Sequence, residues 1–378
     1  MATQKVILVN FSKAGAVALD TSPALTSAAA YMSRSGMAGA RVAARPRVVL
    51  MEDYLDQARH MDCVQELARH CELVIHTTQA GSRDVLLDRL KGAAVAITIR
   101  DRVLFDAEVL SRVAGLELLS VCGPRLEPHI DLPAATRAGV LVSSAAPNTL
   151  SREPHHATAE MTWALILALA KRVVHNDAML RRGAWQTVAG TGLYGKTLGL
   201  VGSTGKVGAI VARIGVAMGM RVIAWSPRLT PERAAAQGVE AVSFDTLLRT
   251  SDVLSLHANV TAESHAMLGA AEFARMKPSA LLVNTARAAL VDEAALRHAL
   301  DHGQIGAAGL DVYWNEPLAP THWLRSHERV LLQPHLGAFT PEGYEWIVRP
   351  GVEAALAWLM GEAVAVANPT AVTASRPL

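Results

Sequence analysis

The sequence predicts an α/β protein made of two doubly wound domains, in which helices cover both faces of parallel sheets. Two observations support this prediction. Apolar stretches of strand length alternate with helical stretches over residues 46–150, and the same alternation returns over residues 198–332. The length of 378 residues also suits two domains with a core each.

The first of these regions begins at an apolar segment, 47–51, that predicts a strand. Further strands are predicted at 73–76, 95–99, 116–121 and 140–142, with helices ending at 70 and spanning 83–90 and 106–113. Glycine, proline and asparagine collect over residues 143–154, which we interpret as the crossing between the two domains.

A long helix is predicted over residues 158–182, and its mostly apolar surface indicates burial between the domains. It leads into a second doubly wound unit of the six-strand type. Strands are predicted there at 198–201, 221–225, 241–242, 253–256, 280–283, 309–312 and 330–332. A helix with apolar positions at 207, 210, 211, 214 and 218 is predicted after the first of these strands. Further helices are predicted from 231 and at 270–276, 292–302 and 340–361; the last is free to pack back on the first domain.

The composition excludes several classes of protein. The formal net charge is +2 with basic and acidic residues interspersed, so the basic patch of a nucleic-acid-binding protein is absent. The apolar stretch at 163–170 is too short to cross a bilayer, so no membrane partner is expected. Cys63, Cys71 and Cys122 have neither disulfide nor metal-site spacing, which favours a cytoplasmic protein.

Residues 1–45 form an N-terminal extension of different composition. A short apolar run at 6–9 could be a strand, but the following residues are rich in alanine, serine and glycine. Asp20 is the single acidic residue among the first 44, a bias also found in transit peptides. We favour a loosely ordered extension over a transit peptide.

A glycine-rich turn after the strand at 198–201 indicates a site for a pyrophosphate. Glycines let the backbone approach the phosphates, and the free N–H groups of the following helix face the anion. A tight turn with close helix packing would also need glycine, so the turn alone is weak evidence. The candidate phosphate-binding residues are Gly202, Ser203, Thr204, Gly205, Lys206, Val207 and Gly208.

Three complementary side chains follow three later strands of the second unit, at the sheet edge where ligands bind in open α/β folds. Arg287 can bind a carboxylate bidentately and polarise the neighbouring carbonyl. His335 can pass a proton to or from a hydroxyl oxygen near neutral pH. Glu316, on the other imidazole nitrogen, would fix the tautomer of His335. Together they predict hydride transfer between a nicotinamide and a 2-hydroxy or 2-oxo acid.

Over residues 46–366 the sequence resembles the D-isomer-specific 2-hydroxyacid dehydrogenases. The matching motifs are GKTLGLVG with its glycines at 195–208, MKPSALLVNTARAALVDEAAL at 276–296, GLDVYWNEPL at 309–318 and PHLG at 334–337. The resemblance implies catalytic roles for Arg287, Glu316 and His335. It also implies a Rossmann cofactor domain, 151–337, inserted into a flavodoxin-like substrate domain, 46–150 plus 338–378, and a homodimer formed through the cofactor domains.

The same resemblance implies further residues beside the cofactor and the substrate. The additional cofactor residues are His257, Ala258, Asn259, Thr285, Ala286, Asp311 and Gly337, with Asp311 on the nicotinamide side. Arg100 and Gly123 match loops that face the substrate in relatives. Arg100 is a candidate for an anionic tail of the substrate, and the Gly123 backbone for its carboxylate.

Several departures from the family pattern bear on the cofactor. The glycine turn is one residue longer than usual, and Ala288 replaces the glycine that often follows the catalytic arginine. Where the family commonly has an aspartate for the ribose 2′-hydroxyl, this chain has Ser226 and, nearby, Arg228. A 2′-phosphate is then no longer repelled, which favours NADP over NAD, unless Arg228 is a solvated loop residue.

Two alternatives remain at this stage. The family includes a corepressor, so a non-catalytic protein that senses a dinucleotide is the second functional hypothesis. The adjacent His155 and His156 suggest a metal site, but they point in different directions and lack a third ligand nearby. We therefore expect no metal.

Overall fold

A computed structural model describes residues 9–12, 15–18, 30–32, 45–123, 126, 129–145, 153–202, 205–362 and 364–371. The chain divides into two compact units. Unit 1 comprises Met1–Ser151 and Tyr344–Leu378, and unit 2 comprises Arg152–Gly343. These divisions fall at 151 and 343, against the boundaries at 150 and 337 expected from the sequence.

The strands are short and follow one another with helices between them. In chain order they are β1 (Val9–Ser12), β2 (Gly15–Ala18), β3 (Ala30–Met32), β4 (Arg47–Met51), β5 (Glu72–Ile75), β6 (Ala93–Ile99), β7 (Leu118–Cys122), β8 (Leu141–Ala145), β9 (Thr197–Val201), β10 (Arg221–Trp225), β11 (Glu240–Ala241), β12 (Val253–Leu256), β13 (Leu281–Asn284), β14 (Ala307–Leu310), β15 (Val330–Leu332) and β16 (Val364–Val366).

The helices vary more in length. They are α1 (Asp62–His70), α2 (Arg83–Leu90), α3 (Ala107–Arg112), α4 (Leu132–Arg137), α5 (Glu153–Ala170), α6 (Val173–Arg181), α7 (Lys206–Ala217), α8 (Pro231–Ala235), α9 (Phe244–Thr250), α10 (Ala270–Phe273), α11 (Glu293–Asp301) and α12 (Pro341–Leu359). Short 3-10 helices lie at Ala58–His60, Ala288–Leu290 and Trp323–Ser326.

Unit 1 is built on a parallel sheet with the strand order β5-β4-β6-β7-β8. The order reverses between β4 and β6, which is the flavodoxin-like arrangement. The residues of β6 and β7 are almost all buried, as expected for central strands with helices on both faces. The carboxyl ends of these strands carry the residues of unit 1 that the sequence predicts to face a substrate.

The helix α12 completes the core of unit 1 although it follows unit 2 in the chain. The hydroxyl of the buried Tyr344 donates to the Asp53 carboxylate at 2.5 Å. Gly351 brings the helix close to β7, since Ser120 Oγ donates to its carbonyl oxygen at 2.7 Å and an added Cβ would overlap Cys122 Sγ. Burial raises the pKa of the Cys122 thiol to about 12, which disfavours the thiolate that a nucleophile needs.

The described parts of the N-terminal extension form strands. β1 and β2 pair with each other in antiparallel register, and β3 pairs antiparallel with β16 near the other end of the chain. The sequence indicated a strand only at 6–9, because three- and four-residue strands depend on their partners more than on local pattern. The rest of the extension lies outside the described residues.

Unit 2 contains a parallel seven-stranded sheet in the order β11-β10-β9-β12-β13-β14-β15. This is the six-strand Rossmann order with a seventh strand, β15, added beside β14. The sequence predicted all seven strands, including the one at 330–332, although it indicated a unit of the six-strand type. The order reverses between β9 and β12, so a ligand crevice is expected at the carboxyl ends of those two strands. The predicted α/β fold class, with two doubly wound sheets, is confirmed.

The single helix predicted over 158–182 is wrong, because the chain breaks it into α5 and α6. Arg172 has a left-handed conformation with φ of 56° between the two helices. The two helices differ in burial: α5 packs its Trp163, Leu165 and Ile166 into the core of unit 2, whereas α6 buries none of its residues. Among the described residues, no helix is long and apolar enough to cross a membrane.

Candidate functional site

The glycine turn joins β9 to α7 at the point where the strand order reverses. Gly202 has a φ of 90°, and a Cβ added there would lie 2.7 Å from the carbonyl oxygen of His257. Only glycine therefore lets the end of β9 lie this close to the end of β12. Ser203 and Thr204, which the sequence also assigns to this turn, lie outside the described residues.

The amino end of α7 is suited to an anion. Its N-cap residue is Gly205, so no side chain at that position accepts from the N–H groups of Lys206, Val207 and Gly208 in the first turn. The N–H groups of a helix's first turn and the helix dipole together favour a phosphate. The described parts of the turn, Gly202 and the residues from Gly205 onward, are thus suited to the pyrophosphate of a dinucleotide.

His257 follows β12 on the other side of the reversal. The Nε2 atom of its imidazole lies 2.9 Å from Ser255 Oγ, and its backbone N–H donates to the Val201 carbonyl at 2.8 Å. Desolvation lowers the pKa of His257 to about 4, so the imidazole is neutral at physiological pH. The next residues, Ala258 and Asn259, continue along the same edge, and the Asn259 carbonyl accepts from Ser264 Oγ at 2.8 Å.

The loop after β13 carries Arg287. This half-buried arginine donates through Nη1 to the carbonyl oxygen of Ala286 at 2.7 Å. The buried Asn284 closes the loop, since its Oδ1 accepts from the Ala286 N–H at 3.0 Å and its Nδ2 donates to the Arg287 carbonyl at 2.9 Å. A 3-10 turn, Ala288–Leu290, follows directly.

Thr285 in this loop is anchored to α5. Its hydroxyl oxygen lies 2.8 Å from the buried Thr162 hydroxyl, which itself donates to the Thr158 carbonyl at 2.8 Å. Because a hydroxyl has one hydrogen, Thr162 must accept from Thr285. The Thr285 oxygen therefore offers a ligand an acceptor and no donor.

His335 and Glu316 form a hydrogen-bonded pair. His335 Nδ1 lies 2.6 Å from Glu316 Oε2, and Glu316 Oε1 accepts from the Tyr313 N–H at 2.9 Å. The residues come from the segments after β14 and β15, neighbouring strands of the sheet. An ionised carboxylate can only accept, so Nδ1 carries the hydrogen and Nε2 is the nitrogen left to exchange a proton.

Asp311 holds the backbone that follows His335. Its two carboxylate oxygens accept from the N–H groups of Leu336 at 2.8 Å and Gly337 at 2.9 Å. His335 itself has a left-handed φ of 55°. Burial raises the pKa of the Asp311 carboxyl to about 6, although the adjacent His335 lowers it. The geometry shows Asp311 bonded to this loop, and its assignment to the cofactor stays a prediction.

The end of β10 carries no carboxylate. Trp225 is followed by the half-buried Ser226 and the exposed Arg228, whose carbonyl accepts from Arg233 Nη1 at 3.0 Å. Both arginine side chains are exposed. This loop is positively charged where an acidic residue would bind a ribose 2′-hydroxyl.

In unit 1, Arg100 and Gly123 lie together at the ends of β6 and β7. The Arg100 N–H donates to the Cys122 carbonyl at 3.1 Å, and a Cβ on Gly123 would lie 3.6 Å from Arg100 Cγ. Both residues have positive φ, 57° and 148°. Glycine adopts a positive φ without strain, but a left-handed arginine is uncommon and such residues concentrate at functional sites. The substrate roles of Arg100 and Gly123 stay predictions.

Other sequence hypotheses find less support. His155 and His156 lie in the first turns of α5, and the described residues contain no cluster of three metal-ligating side chains. The sequence assigned no role to Ser255, Asn284 and Thr162, whose side chains bond to His257, Arg287 and Thr285 respectively. Asn284 carried a usable signal, because it is a polar residue at the end of an otherwise apolar strand.

Comparison with known proteins gives one consistent result. Residues 163–337 match the family model described as D-isomer specific 2-hydroxyacid dehydrogenase, NAD binding domain. The chain is 37% identical over 309 residues to a glyoxylate reductase of Aeropyrum pernix, covering 79% of this chain and 88% of that protein.

Two further relatives carry other names. The chain is 38% identical over 265 residues to a D-3-phosphoglycerate dehydrogenase of Mycobacterium tuberculosis, covering 70% of this chain but only 48% of that longer protein. The structure of a D-lactate dehydrogenase from Aquifex aeolicus, complexed with NAD and lactic acid, superposes with a TM-score of 0.66 at 28% identity over 83% of this chain and 96% of that one. The chain therefore belongs to the D-isomer specific 2-hydroxyacid dehydrogenase family of oxidoreductases.

Proposed function

We propose that this protein transfers a hydride between a nicotinamide dinucleotide and a small 2-hydroxy or 2-oxo acid. The observation that carries the proposal is the 2.6 Å bond between His335 and Glu316 on strand ends next to the loop of Arg287. An acid–base group and a carboxylate-binding group are thus at the same edge of the sheet as the glycine turn. This is the set of groups that the reduction of a 2-oxo acid needs.

Arg287, His335 and Glu316 have separate roles in the proposed reaction. Arg287 binds the substrate carboxylate and polarises the adjacent carbonyl. His335 gives a proton from Nε2 to the carbonyl oxygen during reduction and takes it back during oxidation. Glu316 holds Nδ1 and stabilises the imidazolium. A nicotinamide dinucleotide held by unit 2 would supply or accept the hydride.

Unit 2 is the proposed cofactor domain and unit 1 the proposed substrate domain. Within unit 1, Arg100 would bind an anionic tail and the Gly123 backbone would receive the substrate carboxylate. The relatives are named for glyoxylate, phosphoglycerate and lactate, and these three compounds differ in the group attached to the carbon next to the carboxylate. A panel of glyoxylate, hydroxypyruvate, pyruvate and phosphohydroxypyruvate therefore identifies the substrate class.

The test of the reaction is His335→Ala. We expect the variant to lose turnover of 2-oxo acids while the dinucleotide dissociation constant stays near that of the wild type. His302→Ala, at the end of α11, is the matched control and keeps full activity. Retained turnover in His335→Ala would contradict the proposed mechanism.

The second hypothesis is a non-catalytic protein that senses a dinucleotide. This hypothesis accounts for the glycine turn but does not explain the bond between His335 and Glu316. A wild-type protein that binds dinucleotide yet reduces no member of the 2-oxo acid panel would favour it.

For the cofactor, we propose NADP over NAD because the loop after β10 lacks a carboxylate and exposes Arg228. Thermal stabilisation by NADPH should exceed that by NADH, and Arg228→Ala should remove the difference. Arg249→Ala is the control, since that arginine pairs with Asp245 on α9. Stronger stabilisation of the wild type by NADH would refute the preference.

We also propose a cytoplasmic homodimer formed through unit 2. The helix α6 and the loop after it expose apolar side chains, including Val173, Leu180 and Trp185, the last of which is 77% exposed. A second copy of this chain is the occupant that family resemblance supports. Sedimentation velocity should show a dimer that Trp185→Glu dissociates.

A further inference from the structure

The amide of Asn284 ties together the loop that carries Arg287. Asn284 ends β13 and is 1% exposed. Its Oδ1 accepts from the Ala286 N–H and its Nδ2 donates to the Arg287 carbonyl, at 3.0 and 2.9 Å. One side chain therefore fixes the peptide group before Ala286 and the peptide group after Arg287.

The backbone of Asn284 is also held on both sides by neighbouring strands. Asn284 is paired with Leu256 of β12 and Leu310 of β14 within the sheet, and its carbonyl accepts from the Asp311 N–H at 3.0 Å. Asn284 thus connects two of the segments that carry the candidate catalytic residues. A buried amide with both ends bonded is costly to disturb, because either backbone group would lose its partner.

We propose that Asn284 is a positioning residue whose amide sets the backbone geometry from which Arg287 reaches the substrate carboxylate. The inference rests on the proposed function for the identity of that substrate. The guanidinium lies at the end of a long side chain, so a small rotation of the Arg287 peptide displaces it. A misplacement of about 1 Å can cost about a hundredfold in rate.

The chemistry of the amide explains why asparagine stands here. It offers an acceptor and a donor at once at neutral pH. Aspartate has the same shape, but its ionised carboxylate can only accept. One oxygen would still receive the Ala286 N–H, while the other would face the Arg287 carbonyl oxygen and repel it. A protonated aspartic acid, in contrast, can donate to that carbonyl.

Asn284→Asp is therefore expected to have a pH-dependent defect. Relative to the wild type at the same pH, its kcat/KM for the 2-oxo acid should fall at least about tenfold at pH 8. The ratio should recover several-fold at pH 6, where the buried aspartate is protonated more often. The dissociation constant of the preferred dinucleotide, measured by nicotinamide fluorescence, should not change.

Asn368→Asp is the matched control. Asn368 is also buried, and its amide also bridges a backbone N–H and a backbone carbonyl, those of Val142 and Val140 in unit 1, at 2.8 and 2.9 Å. This variant should lose thermal stability without a pH-dependent loss of kcat/KM. Asn284→Ala should lower kcat/KM at both pH values, because alanine cannot regain the bond.

The outcomes are distinct. If the wild type is active and the kcat/KM of Asn284→Asp is unchanged, or is lowered equally at both pH values, the positioning role is overturned. The proposed function is then left intact. A wild type that reduces no 2-oxo acid overturns the proposed function and this inference with it. The same pH-dependent loss in Asn368→Asp also overturns the inference, since the effect would then be a general response to a buried charge.

Discussion

Substitution of Gly202 by alanine tests how closely the glycine turn approaches the end of β12. The φ of 90° at this position disfavours a side chain by roughly 1–2 kcal/mol. The added Cβ would also lie 2.7 Å from the His257 carbonyl oxygen and 3.0 Å from its carbonyl carbon, so two backbone segments must separate. Overpacking of this kind costs about 1–3 kcal/mol, which gives a total of about 2–5 kcal/mol.

Gly205→Ala, three residues further on, is the matched control. Its Cβ would meet its nearest neighbour, the Gly202 carbonyl oxygen, at 3.6 Å, an ordinary contact, and the backbone there has no positive φ. Loss of a glycine N-cap costs no more than about 1 kcal/mol. The two variants make the same chemical change in the same turn and differ in the space available.

The assay is thermal unfolding without dinucleotide. One kcal/mol corresponds to about 2–4 °C in a domain of this size, so Gly202→Ala should lower Tm by about 4–20 °C and Gly205→Ala by less than about 4 °C. Equal melting temperatures for the two variants would refute the reasoning. A wild-type Tm in Gly202→Ala would show that β9 and β12 do not meet as described.

Three further predictions concern the catalytic loop and unit 1. Glu316→Gln replaces the charge-assisted bond to His335 with a neutral one, so kcat should fall about tenfold to a hundredfold. The dinucleotide affinity, measured by fluorescence titration, should stay constant. An unchanged kcat would contradict the role of Glu316. Because the pKa of Asp311 is raised to about 6, its folded carboxyl binds a proton more tightly than the unfolded one, so protonation favours folding and this contribution is lost as pH rises through about 6. The free energy of unfolding of the wild type minus that of Asp311→Asn, from urea denaturation, should therefore fall by roughly 2–3 kcal/mol between pH 4 and pH 7, and a constant difference would exclude the raised pKa. Gly351→Ala should cost about 1–3 kcal/mol through overlap with Cys122 Sγ, and Cys122→Ala should recover part of it in a double-mutant cycle by calorimetry; additive effects would exclude the contact.

Prediction from sequence was strongest where local pattern is sufficient. The strands β10, β12 and β15 and the helix α2 have the predicted bounds. The three strands are short apolar segments, and α2 begins directly after Ser82, which caps it by accepting from the Val85 N–H. The helices α4 and α9 were overlooked, although Asp131 and Ser243 cap them by accepting from the residue three positions later. Six or seven residues make less than two turns, so their periodicity carries little information.

The same limit applies to the candidate site. Arg287, Glu316 and His335 were predicted because their chemistry is visible in the side chain itself, and the structure then shows the bond between the last two. Thr162 supports Thr285 from 123 positions away, a pairing that sequence pattern cannot show. Asn284 acts on backbone groups, which every residue has, so its partners are defined only by the folded loop.

The bond between Tyr344 and Asp53 has a consequence for the order in which the protein matures. These residues are 291 positions apart, and unit 2 is synthesised between them. Chains grow from the amino end and domains fold as units, so unit 2 can complete its core while α12 is still being made. Until α12 is synthesised, the face of the unit 1 sheet that carries Ser120 and Cys122 lacks the helix that covers it. The part of the chain made first is thus finished last.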